Sequence, residues 1–176
     1  MADHTTFRSD GASAVREGNS VHPAMRLMDP FKLERAIDLT AFIGQWPTRL
    51  QIRAEAADLS EMADRFGLEA ICVSHIASIF GFDTRSGNEA LFRDTAADGR
   101  LWPFAMINPA EEGWELELEW AIRQGAKGIR IVPGYHGYSL DSPQAAELVA
   151  RMSASGLPLH ICFRLEDDRL AHPRIA

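Results

Sequence analysis

Short apolar runs recur along the chain from residue 36 onward. Each run is too short for a buried helix and is bounded by Gly, Pro or Asn, which is typical of strands in a buried sheet. The runs are IDLTAFIG from Ile37, AICVSHI from Ala70, LWPFAMIN from Leu101, GIRIV from Gly128 and LPLHICF from Leu157. The pattern therefore predicts five strands.

Segments with helical periodicity separate these runs. The clearest is an apolar stripe that precedes Gly67 and predicts a helix ending at that glycine; its members are Ile52, Ala56, Leu59, Met62 and Phe66. A later segment contains ELELEW at 115–120, whose acidic residues are predicted to face solvent. The order of elements is thus strand, helix, strand, repeated.

Helix boundaries follow from Ser, Pro and Gly. Ser142 and Pro143 have the spacing of an N-cap and a first helical residue, and Gly156 is expected to end that helix. Gly99 and Gly125 are expected to end two others.

This alternation predicts parallel strands joined by right-handed crossovers, with helices outside the sheet. A doubly wound sheet of five strands fits the length, whereas a complete eight-stranded barrel needs about 250 residues. The first strand is followed by GQWPTRLQ, and no G-x-G-x-x-G follows any strand. Nucleotide binding of the phosphate-cradling kind is therefore not expected.

Composition narrows the class of protein. The 176 residues are 46% hydrophobic, which suits one globular domain, expected at 31–176 behind a disordered N-terminal extension at 1–30. A net charge of -7 without any Lys/Arg-rich stretch argues against a nucleic-acid partner. We expect no membrane partner, because no run approaches the roughly 20 apolar residues of a span. The first 20 residues lack the apolar region of a secretory signal, so we expect a cytoplasmic protein with reduced Cys72 and Cys162.

Polar and aromatic residues follow the ends of the predicted strands, where parallel α/β folds bind ligands. They are His75, Asn108, Tyr135, His136, Tyr138 and Arg164. With an ordinary pKa near 6.5, His136 suits general acid–base catalysis, and the others are candidate substrate-binding residues. Arg164 can clamp a carboxylate with two hydrogen bonds.

Each of these residues also has a structural interpretation. His75 and His136 can be hydrogen-bonded surface residues, and the two tyrosines can cover the apolar end of the sheet. Asn108 precedes Pro109 and can simply form a turn, and Arg164 can pair with a neighbouring carboxylate.

Four segments, in chain order, resemble the amidohydrolase-related (amidohydrolase 2) family of the metal-dependent hydrolase superfamily. IDLTAFIGQWP is similar to the first strand of that family, and SGNEALFRDTAADGRLWPFAMINP to its segment from the second helix to the third strand. GAKGIRIVPGYHGYSLDSP and GLPLHICFRLEDDRLAHP resemble the middle of such proteins. The resemblance implies a partial TIM barrel of about five parallel strands with outer helices; a doubly wound sheet of five strands remains the alternative.

The resemblance also implies a hydrolase, or a decarboxylase-like lyase, that uses a divalent metal such as zinc or manganese on a small carbonyl or carboxylate compound. Family members hold the metal with a His-x-His pair on the first strand, where this chain has Thr40 and Phe42. On the fifth strand His160 and Cys162 are the candidate metal ligands. Because zinc usually takes three or more protein ligands, we favour the interpretation that no metal binds and that both side chains belong to the core.

An incomplete barrel leaves two strand edges unpaired. We therefore expect a homo-oligomer, or pairing with a missing C-terminal half. The alternatives to an enzyme are a binding protein without metal and a truncated, inactive fragment.

Overall fold

Five parallel strands and one short antiparallel strand make up the sheet. A computed structural model describes residues 35–47 and 52–163 of the chain. The parallel strands are β1 (Ala36–Gln45), β3 (Leu68–His75), β4 (Leu101–Met106), β5 (Gly128–Ile131) and β6 (Leu159–Ile161). Strand β2 (Arg53–Ala54) pairs antiparallel with the end of β1. All five predicted strands are present, with boundaries within two or three residues of the apolar runs.

Helices follow the strands, as predicted. In the described residues they are α1 (Ala56–Phe66), α2 (Ala77–Phe80), α3 (Thr84–Thr95), α4 (Trp114–Arg123), α5 (Pro133–His136) and α6 (Pro143–Ser155). None of the helices in this part of the chain is long and apolar enough to cross a membrane. Expectations for residues 1–34 and 164–176 lie outside the described residues.

The strand order decides between the two predicted architectures. The sheet runs β2-β1-β3-β4-β5-β6, so the parallel strands are neighbours in chain order. A doubly wound sheet reverses its order midway, and this one does not. Right-handed crossovers that always advance in one direction place their helices on one face. The fold is therefore the predicted partial TIM barrel, and the alternative of a doubly wound sheet is wrong.

A single side chain shows that the sheet is rolled. Arg130 of β5 donates a hydrogen bond to the Ala41 carbonyl of β1 at 2.9 Å. In a flat sheet of this order, three strand spacings, about 14 Å, separate β1 from β5. An arginine side chain cannot reach that far, so the sheet must curve around an interior face that contains Arg130.

Glycine and serine set several helix ends as predicted. Gly67 and Gly156 have left-handed backbone conformations directly after α1 and α6. The Ser142 hydroxyl accepts a hydrogen bond from the Ala145 N–H at 3.2 Å and caps α6. Gly99 does not end α3 as predicted. The helix stops at Thr95, and residues 96–98 separate it from the glycine.

The first helix begins later than its apolar stripe indicates. Ile52 lies before β2, and its carbonyl accepts a hydrogen bond from the Trp46 N–H at 2.8 Å. Pairing of β2 with the end of β1 takes precedence over helical periodicity here. Helix α1 starts at Ala56, and Glu55 and Asp58 form a capping box at this end.

A buried polar network fastens α3 and α4 to β4. The Asn88 amide donates to the Met106 carbonyl at 2.8 Å and accepts from the Met106 N–H at 2.8 Å. It also donates to Glu117 at 2.9 Å, and Glu117 forms an ion pair with Arg85. We call Arg85, Asn88 and Glu117 the outer network. The prediction that the acidic residues of ELELEW face solvent is wrong for Glu117, which is 8% exposed because this network needs its carboxylate.

Candidate functional site

His136 ends α5, the single helical turn that replaces the predicted loop after β5. Its Nε2 donates to the Ser78 carbonyl at 3.1 Å, which leaves Nδ1 as the acceptor in the neutral ring. In the described residues, Nδ1 is buried and has no hydrogen-bond partner. Burial lowers the pKa of His136, and the Ser78 hydrogen bond opposes that shift. The imidazole is therefore held as a neutral base at neutral pH.

Aromatic rings cover the same end of the sheet. Phe80 of α2 makes edge contacts with Trp46, at 5.2 Å between ring centroids, and with Tyr135, at 4.9 Å. The Tyr138 hydroxyl is buried without a hydrogen-bond partner among the described residues, and burial raises its pKa. Ring packing at Tyr135 agrees with the covering interpretation, and a substrate contact by either tyrosine stays a prediction.

His75 lies on the other face of the sheet. Ile71 and Val73, which alternate with it along β3, pack against α1 in the apolar core. The His75 Nδ1 accepts from the Ala77 N–H at 3.1 Å, and burial lowers the pKa of the ring. A Cβ at Gly44 would come within 2.8 Å of the His75 Cε1, so the glycine makes room for the imidazole. A groove of about 540 Å³ adjoins His75 at the ends of β1 and β2 and the start of α1.

Asn108 makes the contacts of a turn. Its side-chain oxygen accepts from the Ala110 N–H at 3.1 Å, and its backbone carbonyl accepts from the Glu111 N–H at 3.0 Å. These bonds support the turn interpretation, and a substrate role of Asn108 stays a prediction. Arg164 lies outside the described residues.

The interior face holds a charged residue that the sequence interpretation missed. Arg130 is completely buried. Its Nη2 donates to the Leu39 carbonyl at 2.6 Å and to the Cys72 carbonyl at 3.0 Å, in addition to the bond to Ala41. Its Nε donates to the His160 Nδ1 at 3.1 Å. A charged residue between two isoleucines in GIRIV is the signal that could have identified it.

His160 and Cys162 lie beside this guanidinium. The Cys162 Sγ is 3.9 Å from the His160 Nε2. Burial and the nearby positive charge of Arg130 lower the pKa of His160, while a hydrogen bond with the Leu39 backbone opposes them. Burial raises the pKa of Cys162 although Arg130 acts in the other direction. Both cysteines are free; Cys72 is buried, and Cys162 is partly buried and packs against an apolar cluster of the core.

The interior donor set does not fit the divalent metal that the resemblance implies. Among the described residues, no group of three or more His, Cys, Asp or Glu side chains is placed to hold a metal ion. Phe42 packs its ring against Arg130, with 4.7 Å from the guanidinium carbon to the ring centroid. The Nδ1 lone pair of His160 already accepts a hydrogen bond from the Arg130 Nε, so in the neutral ring Nε2 carries the proton and offers no lone pair.

The predicted site residues thus differ in their contacts. His136, Tyr135 and the residues of α2 meet at the carboxyl end of the sheet, whereas His160 lies on the interior face with Arg130. Cys162 adjoins both groups, because it lies 3.9 Å from His160 and packs against the same apolar cluster as Tyr135. His75 belongs to the outer face. The first group can transfer a proton at the His136 Nδ1, and the second can hold a fixed positive charge.

Comparison with known proteins agrees with the barrel topology. No curated protein matches the chain in a sequence comparison. The sequence model of a family described as amidohydrolase matches residues 21–175, which is most of the chain. The protein belongs to the amidohydrolase family.

Proposed function

We propose that this amidohydrolase-family protein is a hydrolase, or a decarboxylase-like lyase, that acts on a small carbonyl or carboxylate compound at the carboxyl end of its sheet, with His136 as the proton-transfer group. The observation that carries the proposal is the buried Nδ1 of His136, which has no partner among the described residues. Buried polar atoms are nearly always paired. An unpaired imidazole nitrogen at the ligand-binding end of a barrel is a place where a substrate or water proton fits.

The contacts of His136 define its proposed role. The Ser78 carbonyl fixes the tautomer, and burial keeps the ring unprotonated near neutral pH. In a hydrolytic reaction Nδ1 accepts a proton from the attacking water and returns it to the leaving group. Since Nδ1 is enclosed, the turn Pro133–His136 must move to admit the substrate, and Gly137, with φ 70°, flanks that turn.

A substrate panel tests this proposal. Small lactones, esters, amides and aromatic carboxylates are incubated with the wild-type protein, and hydrolysis or decarboxylation is followed by mass spectrometry. For a compound that is turned over, we expect His136→Gln to lower kcat by ~100-fold or more, the usual contribution of general acid–base catalysis. Glu147→Gln, an exposed change on α6, is the matched control. Equal turnover by His136→Gln and wild type would exclude His136 from the reaction.

The second candidate is a binding protein without turnover. The hydrogen bond from Arg130 to His160 favours it, because it occupies the imidazole lone pair that a catalytic metal site would leave open. Binding of a panel compound, measured by calorimetry and unaccompanied by turnover, would select this candidate.

We also propose that a partner completes the barrel. This partner is a second copy of the chain or a C-terminal half. Large apolar side chains are exposed near both ends of the sheet: Leu39 of β1 is 60% exposed and Phe163, after β6, is 68% exposed. A groove of about 400 Å³ lies beside β6 and includes Val149 and Leu157. Light scattering after size exclusion tests the homo-oligomer. A cytoplasmic location remains part of the proposal.

A further inference from the structure

Arg130 is enclosed by neutral, electron-rich groups. Its four hydrogen bonds go to three backbone carbonyls and one imidazole nitrogen. The rings of Phe42 and Phe104 face the guanidinium at 4.7 and 5.8 Å. Within residues 35–47 and 52–163, no carboxylate forms an ion pair with Arg130, although the charge of Asp38 acts on it from a longer distance. We call Arg130, His160, Phe42, Phe104 and the carbonyls of Leu39, Ala41 and Cys72 the interior cage.

Such a cage suits a cation. A buried charge without a counter-ion is strongly unfavourable unless many dipoles are fixed around it. Carbonyl oxygens, an imidazole lone pair and aromatic faces all direct negative potential at the guanidinium. Oxygen and imidazole donors are also what divalent metals take from proteins. The cage therefore resembles a metal site in its electrostatics, although its cation is part of the chain.

We propose that the Arg130 guanidinium occupies the interior position that the divalent metal takes in relatives, so that this protein binds no divalent metal there. Phe42, at a position that corresponds to a metal ligand, presents a ring that binds Arg130 but cannot bind zinc. His160 directs its only lone pair at the same guanidinium. A divalent ion in contact with this group would also meet direct charge repulsion.

This inference goes beyond the proposed reaction and does not depend on it. Arginine keeps its charge at any physiological pH, so the interior cation is permanent and insensitive to chelators. Folding of the chain is then independent of metal concentration, in contrast to proteins whose folded state requires a bound metal.

Metal content and thermal unfolding of the wild-type chain provide the first test. The purified protein is dialysed against zinc or manganese and then against metal-free buffer, and its metal is measured by mass spectrometry. We expect substoichiometric metal and the same Tm with zinc, manganese or EDTA. One retained equivalent of either metal, together with a lower Tm in EDTA, would overturn the inference.

Two rebuilt variants test the position itself. Thr40→His/Phe42→His restores the family ligands while Arg130 remains, and the same pair combined with Arg130→Met removes the guanidinium and frees His160. We expect the triple variant to bind zinc at least ~100-fold more tightly than the double variant, because only the double variant holds a like charge in the site. Equal zinc affinity in the two variants would show that the guanidinium is not in the place of the metal.

A third variant covers the case in which the triple variant does not fold. Thr40→His/Phe42→His/Arg130→Lys keeps a positive charge with fewer donors, and we expect it to exclude zinc as the double variant does. Stoichiometric zinc in this lysine variant contradicts the inference. All of these readouts are independent of turnover, so their failure is distinguishable from a failure of the proposed reaction.

Discussion

The outer network and the interior cage both contain an arginine, but they neutralise its charge differently. Arg85 forms an ion pair with Glu117, and its guanidinium lies 4.0 Å from the centre of the Trp120 ring. Arg130 has carbonyls, an imidazole and two rings around it, and no carboxylate within ion-pair distance in the described ranges. The charges of the outer network therefore cancel within one ion pair, whereas the opposite charge that acts on Arg130, the carboxylate of Asp38, lies beyond ion-pair distance.

This difference shows what each region can tolerate. An ion pair can often be replaced as a unit by apolar residues, since both charges disappear together. Removing Arg130 has no such compensation, because the acceptors that surround it belong mainly to the backbone and cannot be removed by substitution. Each buried acceptor left without a donor costs about 1–3 kcal/mol.

The largest predicted effect is that of Arg130→Met. It leaves the Leu39, Ala41 and Cys72 carbonyls and the His160 Nδ1 without their donor, so we expect the free energy of unfolding to fall by about 4 kcal/mol or more. Arg130→Lys retains the charge but forms fewer hydrogen bonds. Its free energy of unfolding should therefore lie between those of Arg130→Met and wild type. Urea denaturation followed by circular dichroism measures both. A loss below ~1 kcal/mol in Arg130→Met would mean that the hydrogen bonds of Arg130 contribute no more to stability than those of a surface residue.

Substitutions in the outer network should lower the free energy of unfolding by less than Arg130→Met does. The loss should also depend on whether one partner of the ion pair or both are replaced. Asn88→Ala leaves the Met106 N–H and C=O without their side-chain partner and removes the hydrogen bond to Glu117, with an expected loss of about 2–3 kcal/mol. Arg85→Met combined with Glu117→Leu removes both charges together and should cost about 1 kcal/mol or less. The same urea titrations test both variants. If the paired replacement is as harmful as Arg130→Met, the proposed contrast between the two regions is wrong.

The smallest effect concerns pH. Burial lowers the pKa of His136 in the folded protein, so below the ordinary value near 6.5 the unfolded chain binds a proton that the folded chain does not. Stability should therefore be constant above neutral pH and fall as the pH drops below about 6.5, by at most about 1.4 kcal/mol per pH unit for this one group.

His136→Gln should remove its share of that slope. The measurement is the free energy of unfolding of wild type and variant between pH 7.5 and 5. The two slopes should differ by at most about one bound proton. His160 and His75 also have lowered pKa values and act in the same direction, so some slope should remain in the variant. An unchanged slope would mean that His136 is protonated in the folded state.

Much of the fold was predictable because its signals are local. Apolar runs of strand length, Ser142 before Pro143, and the glycines at 67 and 156 act within a few residues of themselves, and the structure confirms them. Local signals failed where a more distant partner competed. Ile52 belongs to the helical stripe, but β2 pairs with β1 instead.

The candidate site was less predictable than the fold. His136 was identified from its residue type and its place after a strand, whereas its tautomer depends on Ser78, 58 residues earlier. Glu117 looked like part of an exposed acidic face until Asn88 and Arg85 were brought to it by the packing of α3 on α4.

The sequence alone determined the order of strands and helices, the family and the residue types available for chemistry. The tertiary structure decided which of these residues meet. Arg130 contacts carbonyls 58, 89 and 91 residues away in the chain, and no local pattern encodes those contacts. They arise only because the sheet rolls, which brings the backbone of its first strand within reach of a side chain on its fourth parallel strand.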